Sequence, residues 1–229
     1  AFDIIPHPEG GWLVAGNHRI ARYTDEFNLD ESFGPDGTGW TSNYDGNSVD
    51  DHSMVISADG KLWLAGQRGA NMRLYRYSLD GAYEGQWNKH GTDSTSRHMG
   101  IRANDDGTIV SVFSHREYQG FYSEILDTRN GYQWTTVNIL DIGDDQYADS
   151  ALNLPDGKLL ITGMANGDAF VARYTHRGDL DSSFGESGRL QIPVLNSGDR
   201  ALAASLQPDG KILLVGRSHN GNNDDIFLV

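Results

Sequence analysis

One short pattern returns five times and limits what this chain can fold into. It reads PHPEGGWLVAG to Gly16, ISADGKLWLAG to Gly66, ANDDGTIVSVF to Phe113, LPDGKLLITG to Gly163 and QPDGKILLVG to Gly216. The aligned turn glycines are Gly10, Gly60, Gly107, Gly157 and Gly210, spaced 50, 47, 50 and 53 residues apart. Each sits after an acidic residue and between two short apolar runs, which is a strong hairpin signal.

A second register runs in step with the first. Arg22-Tyr23, Arg76-Tyr77 and Arg173-Tyr174 each precede a bulky aromatic, Phe33, Trp87 or Phe184, by 11 residues counted from the Arg. The same Arg lies 15 residues before Gly37, Gly91 or Gly188, with Asp30, Glu84 or Asp181 between them. Unit three keeps strand character in FYSEILDTRNGYQWTTVNIL but lacks the Arg-Tyr and Phe-Gly signatures. Runs such as KLLITG, AFVARY and RLQIPV are apolar and β-branched, and no long 3.6-period segment occurs.

Each unit therefore offers about four short strands in about 50 residues, the sequence signature of propeller blades. The expectation is an all-β propeller of about five four-stranded blades forming one domain over residues 1–229. The units fall at approximately 1–47, 48–94, 95–143, 144–197 and 198–229, the last one partial. IFLV at 226–229 aligns with AFVA at 169–172, where Arg173-Tyr174 follows in unit four. The second half of the fifth blade is thus expected to lie outside this sequence, as in a fragment or processed piece of a longer repeat protein. It would be supplied by removed sequence or by another chain.

SLQPDGKILLVG, DAFVARYTHRGDLDSSFGESG and ISADGKLWLAG resemble the delta-60 repeat. The resemblance covers units one, two, four and five. It implies a bacterial β-propeller repeat of an exported or cell-surface multidomain protein, extracellular or periplasmic. The family has no assigned biochemical activity and no catalytic residues to transfer.

Charge narrows the partners. With 18 Lys and Arg against 32 Asp and Glu, the formal net charge is −14. Nucleic-acid binding and docking on anionic membranes need a basic face, so neither fits. No run of about 18 apolar residues is present, so no membrane insertion is expected. There are no Cys, which removes disulfides, thiolate metal sites and Cys nucleophiles. The eight His show no metal-ligand spacing, and no metal or cofactor is expected. Calcium is the weaker exception, through the oxygen-rich runs DIGDDQYADS (141–150) and NGNNDD (220–225).

The recurring Arg–carboxylate pairs read as structural ties from the third strand to the following turn, because they repeat once per blade. Phe33, Trp87 and Phe184 read as plugs between blades. Site chemistry is sought in the segments leading into each unit's first strand: SVDDHSM (48–54), TSRHMG (95–100), QYADSA (146–151) and GDRALA (198–203). These offer Asp50, Asp51, His52, Arg97, His98, Asp149, Asp199 and Arg200, and of them Asp51, His52, Arg97, His98, Asp149 and Arg200 are the candidate ligand-binding residues at one mouth of a propeller. Asp51, His52 and His98 are the candidates for acid–base catalysis, and no catalytic residue is assigned among them. Aromatics beside Asp and Asn, including Trp40, Tyr44, Tyr118, Tyr132, Trp134 and Tyr147, suggest a glycan platform. Three readings follow: a non-catalytic interaction or scaffold module with a protein or glycan partner, a binder of a small polar ligand or glycan, and a hydrolase or lyase using the Asp/His/Arg set.

Overall fold

The computed structural model describes residues 3–16, 19–42, 50–68, 71–90, 97–115, 120–127, 132–140, 146–194 and 197–229. Among them every regular element is a β-strand, and there are five antiparallel sheets. The first is β1 (Asp3–Pro6), β2 (Trp12–Gly16), β3 (Arg19–Tyr23) and β4 (Trp40–Ser42). The second is β5 (Asp50–Ile56), β6 (Leu62–Arg68), β7 (Asn71–Tyr77) and β8 (Tyr83–His90). The third is β9 (Arg97–Ala103), β10 (Thr108–His115), β11 (Gly120–Asp127) and β12 (Gln133–Leu140). The fourth is β13 (Gln146–Asn153), β14 (Leu159–Ala165), β15 (Asp168–Tyr174) and β16 (Arg189–Ile192). The fifth has three strands, β17 (Ser197–Leu206), β18 (Ile212–His219) and β19 (Asp224–Leu228). Strand order follows chain order in every sheet, the simple meander of a propeller blade with an incomplete last blade.

The hairpin chemistry explains why the glycine register is so regular. In each sheet the residue three before the aligned glycine donates its N–H to the carbonyl of the residue after that glycine: His7 to Gly11, Ser57 to Lys61, Asn104 to Thr108, Leu154 to Lys158 and Gln207 to Lys211. The glycine N–H returns to the same residue's carbonyl, which closes a tight turn ending in a bulge. That geometry needs a left-handed residue, and Gly10, Gly60, Gly107, Gly157 and Gly210 have φ from 73° to 96°.

The chain divides into two compact units, residues 1–111 with 126–135 and residues 112–125 with 136–229. In the first, alternate residues of β2 and β6 point to opposite faces. Leu13, Ala15 and Ile20 of blade one meet Leu62, Leu64, Tyr75 and Tyr77 of blade two, with Phe33 among them at 1% exposure. The other face of blade two, Trp63, Ala65 and Leu74, packs on Ile101 and Ile109. In the second unit Leu160 and Val171 of blade four pack on Leu214 of blade five, with Phe184 alongside. Fully burying an aliphatic side chain is worth roughly 1.5–3 kcal/mol, so these faces are where the stability of each unit resides.

The Arg–carboxylate ties form in all three blades that carry the register. Arg22 Nε lies 3.2 Å from Asp30, Arg76 Nε 2.9 Å from Glu84 and Arg173 Nε 2.7 Å from Asp181. Lysines join two of them: Lys61 at 2.5 Å from Glu84 and Lys158 at 2.9 Å from Asp181. Asp181 also accepts from the Ser183 N–H and hydroxyl. The Ser183 hydroxyl and the Lys158 ammonium hold its carboxyl below the ordinary carboxylate range.

Candidate functional site

All six candidate residues belong to the first strands of their blades, not to loops leading into them. Asp51 and His52 are in β5, Arg97 and His98 in β9, Asp149 in β13 and Arg200 in β17. The polar composition of these segments signals loop, yet the backbone ladder runs through them, interrupted by bulges. Pairing with the second strand shifts between Asp50 and Ser53, between Ala148 and Ser150, and between Ser197 and Arg200. Asp51, His52, Asp149, Gly198 and Asp199 are the residues skipped at these three places. A bulge re-aims a side chain and is common beside functional sites, so the departure from repeat chemistry coincides with a departure from regular strand geometry.

The side chains of Asp51, His52, Arg97 and His98 lie outside the described residues. Their strands β5 and β9 are packed neighbours in the first unit. The side chains of Asp149 and Arg200 are described and meet each other. Arg200 Nε donates to Asp149 Oδ2 and Nη2 to Oδ1, both at 2.5 Å, a bidentate pair with side-chain exposures of 23% and 12%. The pair joins the first strand of blade four to the first strand of blade five.

Asp199, one residue before Arg200 and one of the polar residues that GDRALA offers, is a member of the same junction. It is fully buried, accepts the Val194 N–H at 2.6 Å and the Ser218 hydroxyl, and its own N–H donates to Gly167 C=O at 2.9 Å. A counterpart occurs in the first unit. Asp3 Oδ2 accepts the Met54 N–H at 2.7 Å, which ties β1 to β5, and burial raises the Asp3 pKa. Carboxylates on first strands therefore bond backbone and side chains of the neighbouring blade. Nothing in the local sequence around Asp3 distinguishes it, since its partner is 51 residues away.

The oxygen-rich run 220–225 spans the hairpin between β18 and β19, and its side chains bond to one another and to β18. Asn220 Oδ1 accepts from the N–H of Asn222 and Asn223, Asn220 Nδ2 donates to Asp225, and Asp224 pairs with both Arg217 and His219. Residues 141–145 of the other run lie outside the described residues. Among the described residues no group of three His, Asp or Glu side chains is placed to hold a metal ion. No described helix is long and apolar enough to cross a membrane. Of the aromatics proposed as a glycan platform, Trp40 is partly exposed under the Arg19 guanidinium, 4.8 Å from its ring centroid. Tyr132 is stacked against Trp87. Tyr44 and Tyr118, and the side chains of Trp134 and Tyr147, lie outside the described residues.

Comparison with known proteins agrees on the fold. A family model described as "Domain of unknown function (DUF5122) beta-propeller" matches residues 154–184 and 207–229. These are the repeat stretches of units four and five. Comparison with curated proteins returns no match. Among solved structures, the chain is similar over its whole length to a streptogramin B lyase structure at 13% identity, TM-score 0.61 and 67% of that chain. It is similar to the AfRom2 CNH domain at 12% identity, TM-score 0.55, 99% of this chain and 69% of that one. A protein from Lactobacillus plantarum matches at 16% identity, TM-score 0.50, 93% of this chain and 66% of that one. The chain thus spans about two thirds of each of these structures. At such identities the likeness concerns fold alone. The chain is a β-propeller module.

Proposed function

We propose that this chain is a non-catalytic interaction or scaffold module, of the delta-60 repeat type, in an exported or cell-surface bacterial protein. The observation that carries this reading is the Asp149–Arg200 pair. Of the six candidate site residues, the two whose side chains are described form a bidentate pair with each other across a blade junction. A general base needs a free carboxylate oxygen within reach of the proton it takes. Both oxygens of Asp149 already accept from a guanidinium. The match of the family model to the repeat stretches supports the repeat assignment, and that family has no function attached to it.

The enzyme and glycan readings are decided by experiment on the whole chain. We expect no turnover of ester, phosphoester, glycoside or lactone substrates, and no glycan-array signal above background. A turnover that falls on His52→Ala or His98→Ala overturns the proposal in favour of an enzyme. Glycan binding that survives Trp40→Ala but falls on Asp51→Ala or Arg97→Ala replaces it with a ligand site on the first strands.

A further inference from the structure

The turn between the third and fourth strands recurs in three blades with one hydrogen-bond pattern. The N–H of Thr24 donates to Asn28 C=O, that of Ser78 to Ala82 and that of Thr175 to Asp179. The fourth residue of each turn is left-handed: Phe27 at φ 61°, Gly81 at 89° and Gly178 at 86°. Two blades use glycine there, as the conformation favours, and blade one uses phenylalanine, for which it is costly.

In the first unit the blade interfaces show what this position is for. Phe33, the plug of blade one, ends against Gly81 of blade two, where a Cβ would lie 2.8 Å from the ring. The same turn is gripped by Gly34 N–H, donating to Asp80 C=O at 2.8 Å, and by His7 Nε2, 3.3 Å from Leu79 C=O. At the next interface Trp87, the plug of blade two, stacks on Tyr132 with centroids 4.3 Å apart and planes 26° apart. Tyr132 also has a left-handed φ of 61° and stands just before the fourth strand. A left-handed residue of the receiving blade thus meets the arriving plug at both interfaces, bare in one case and aromatic in the other.

Blade one has the same apparatus, and among the described residues no plug lies on it. Phe27 stacks parallel to Trp12, with centroids 6.2 Å and planes 6° apart, and 65% of Phe27 is exposed. Trp12 stands where blade two has Leu62, a member of the core cluster around the Phe33 plug. We propose that the Trp12–Phe27 stack is an uncovered plug socket that docks the aromatic–glycine turn of a further blade of this repeat. The occupant is a separate blade and not a second copy of the chain, because the plugs among the described residues are engaged. Phe33 is buried, Trp87 lies against Trp63 and Tyr132, and Phe184 is packed in the Leu160 cluster. The inference rests on the interaction-module reading only for the class of partner, and it involves none of the six candidate site residues.

The test supplies the plug. A copy of residues 144–196, which carries the Phe184-Gly185 turn, is fused in repeat phase ahead of Ala1. Acrylamide quenching of Trp12 is read as the difference between the parent and its Trp12→Phe variant, alongside the melting temperature. We expect the added blade to shield Trp12 and to raise Tm by about 2–4 °C, the shift of roughly 1 kcal/mol in a protein of this size. Both effects should vanish when the Phe in the fused copy is changed to Ala, and again on Phe27→Asp in the host. Phe27→Gly, which recreates the socket of blade two, should retain them. Absence of shielding, or shielding that ignores the change in the fused plug, overturns the proposal. Such a result leaves the activity and glycan tests of the six candidate residues unaffected, so the two failures are distinguishable.

Discussion

Phe33 of blade one and Gly81 of blade two fit each other as plug and socket: a single methyl added at Gly81 would sit 2.8 Å from the Phe33 ring. Gly81 is also left-handed at φ 89°, so an alanine there meets two penalties. Gly210 has a similar φ of 82° with nothing within 4 Å of an added Cβ, so it meets only one. We expect Gly210→Ala to cost about 1–2 kcal/mol, the left-handed penalty for an L-residue. Gly81→Ala should cost more by about 1–3 kcal/mol from forcing apart a packed core. Urea unfolding of the two variants checks this. Equal costs would mean that Phe33 yields freely and is not a close-fitting plug.

Arg76 sits among three aromatic rings, 5.7 Å from the Trp63 centroid, 5.1 Å from Trp87 and 5.5 Å from Tyr132. It also donates to the Tyr132 hydroxyl and pairs with Glu84. A planar guanidinium can stack and bond at once, whereas a lysine ammonium cannot. Arg76→Lys should therefore destabilise by about 1–2 kcal/mol although charge is kept. Chemical denaturation followed by tryptophan fluorescence reads it directly, because two of the rings are tryptophans.

The carboxyl of Asp181 is held below its ordinary range by the Ser183 hydroxyl and Lys158, with Arg173 adding to them. A carboxylate whose folded pKa is depressed contributes stability that is complete above its unfolded pKa, near 4. That contribution is lost as pH falls toward the folded value. The stability gap between wild type and Asp181→Asn should therefore be constant from pH 7 to about 5 and shrink progressively below about 4. A gap that stays level down to pH 2 would show that the carboxylate charge is not what the asparagine lacks.

The repeat was legible in the sequence because its parts have fixed local causes. The glycine period reflects a turn that requires a left-handed residue, and Arg22, Arg76 and Arg173 recur because each reaches a carboxylate eight residues on. The polar starts of the first strands were not legible as strand. SVDDHSM and GDRALA break the apolar alternation at residues that the structure places in bulges, and a bulge carries no periodic signal. Asp199 and Asp3 were invisible as ties because their role depends on contacts between blades. Phe27 could have been found: counting five residues from each Arg of the Arg-Tyr pairs gives Phe27, Gly81 and Gly178, and the odd member stands out.

On the proposed reading, Asp149 and Arg200 form a tie between blades and not half of a ligand site. A double-mutant cycle of Asp149→Asn, Arg200→Met and the combined variant, measured by equilibrium urea unfolding, tests it directly. The pair is bidentate but not fully buried, so its coupling lies between that of exposed and buried ion pairs. We expect a coupling energy of about 1–3 kcal/mol, with the double variant losing less than the two singles summed. Additive singles that each leave stability within about 0.5 kcal/mol of wild type would contradict it and return both residues to the candidates for ligand binding.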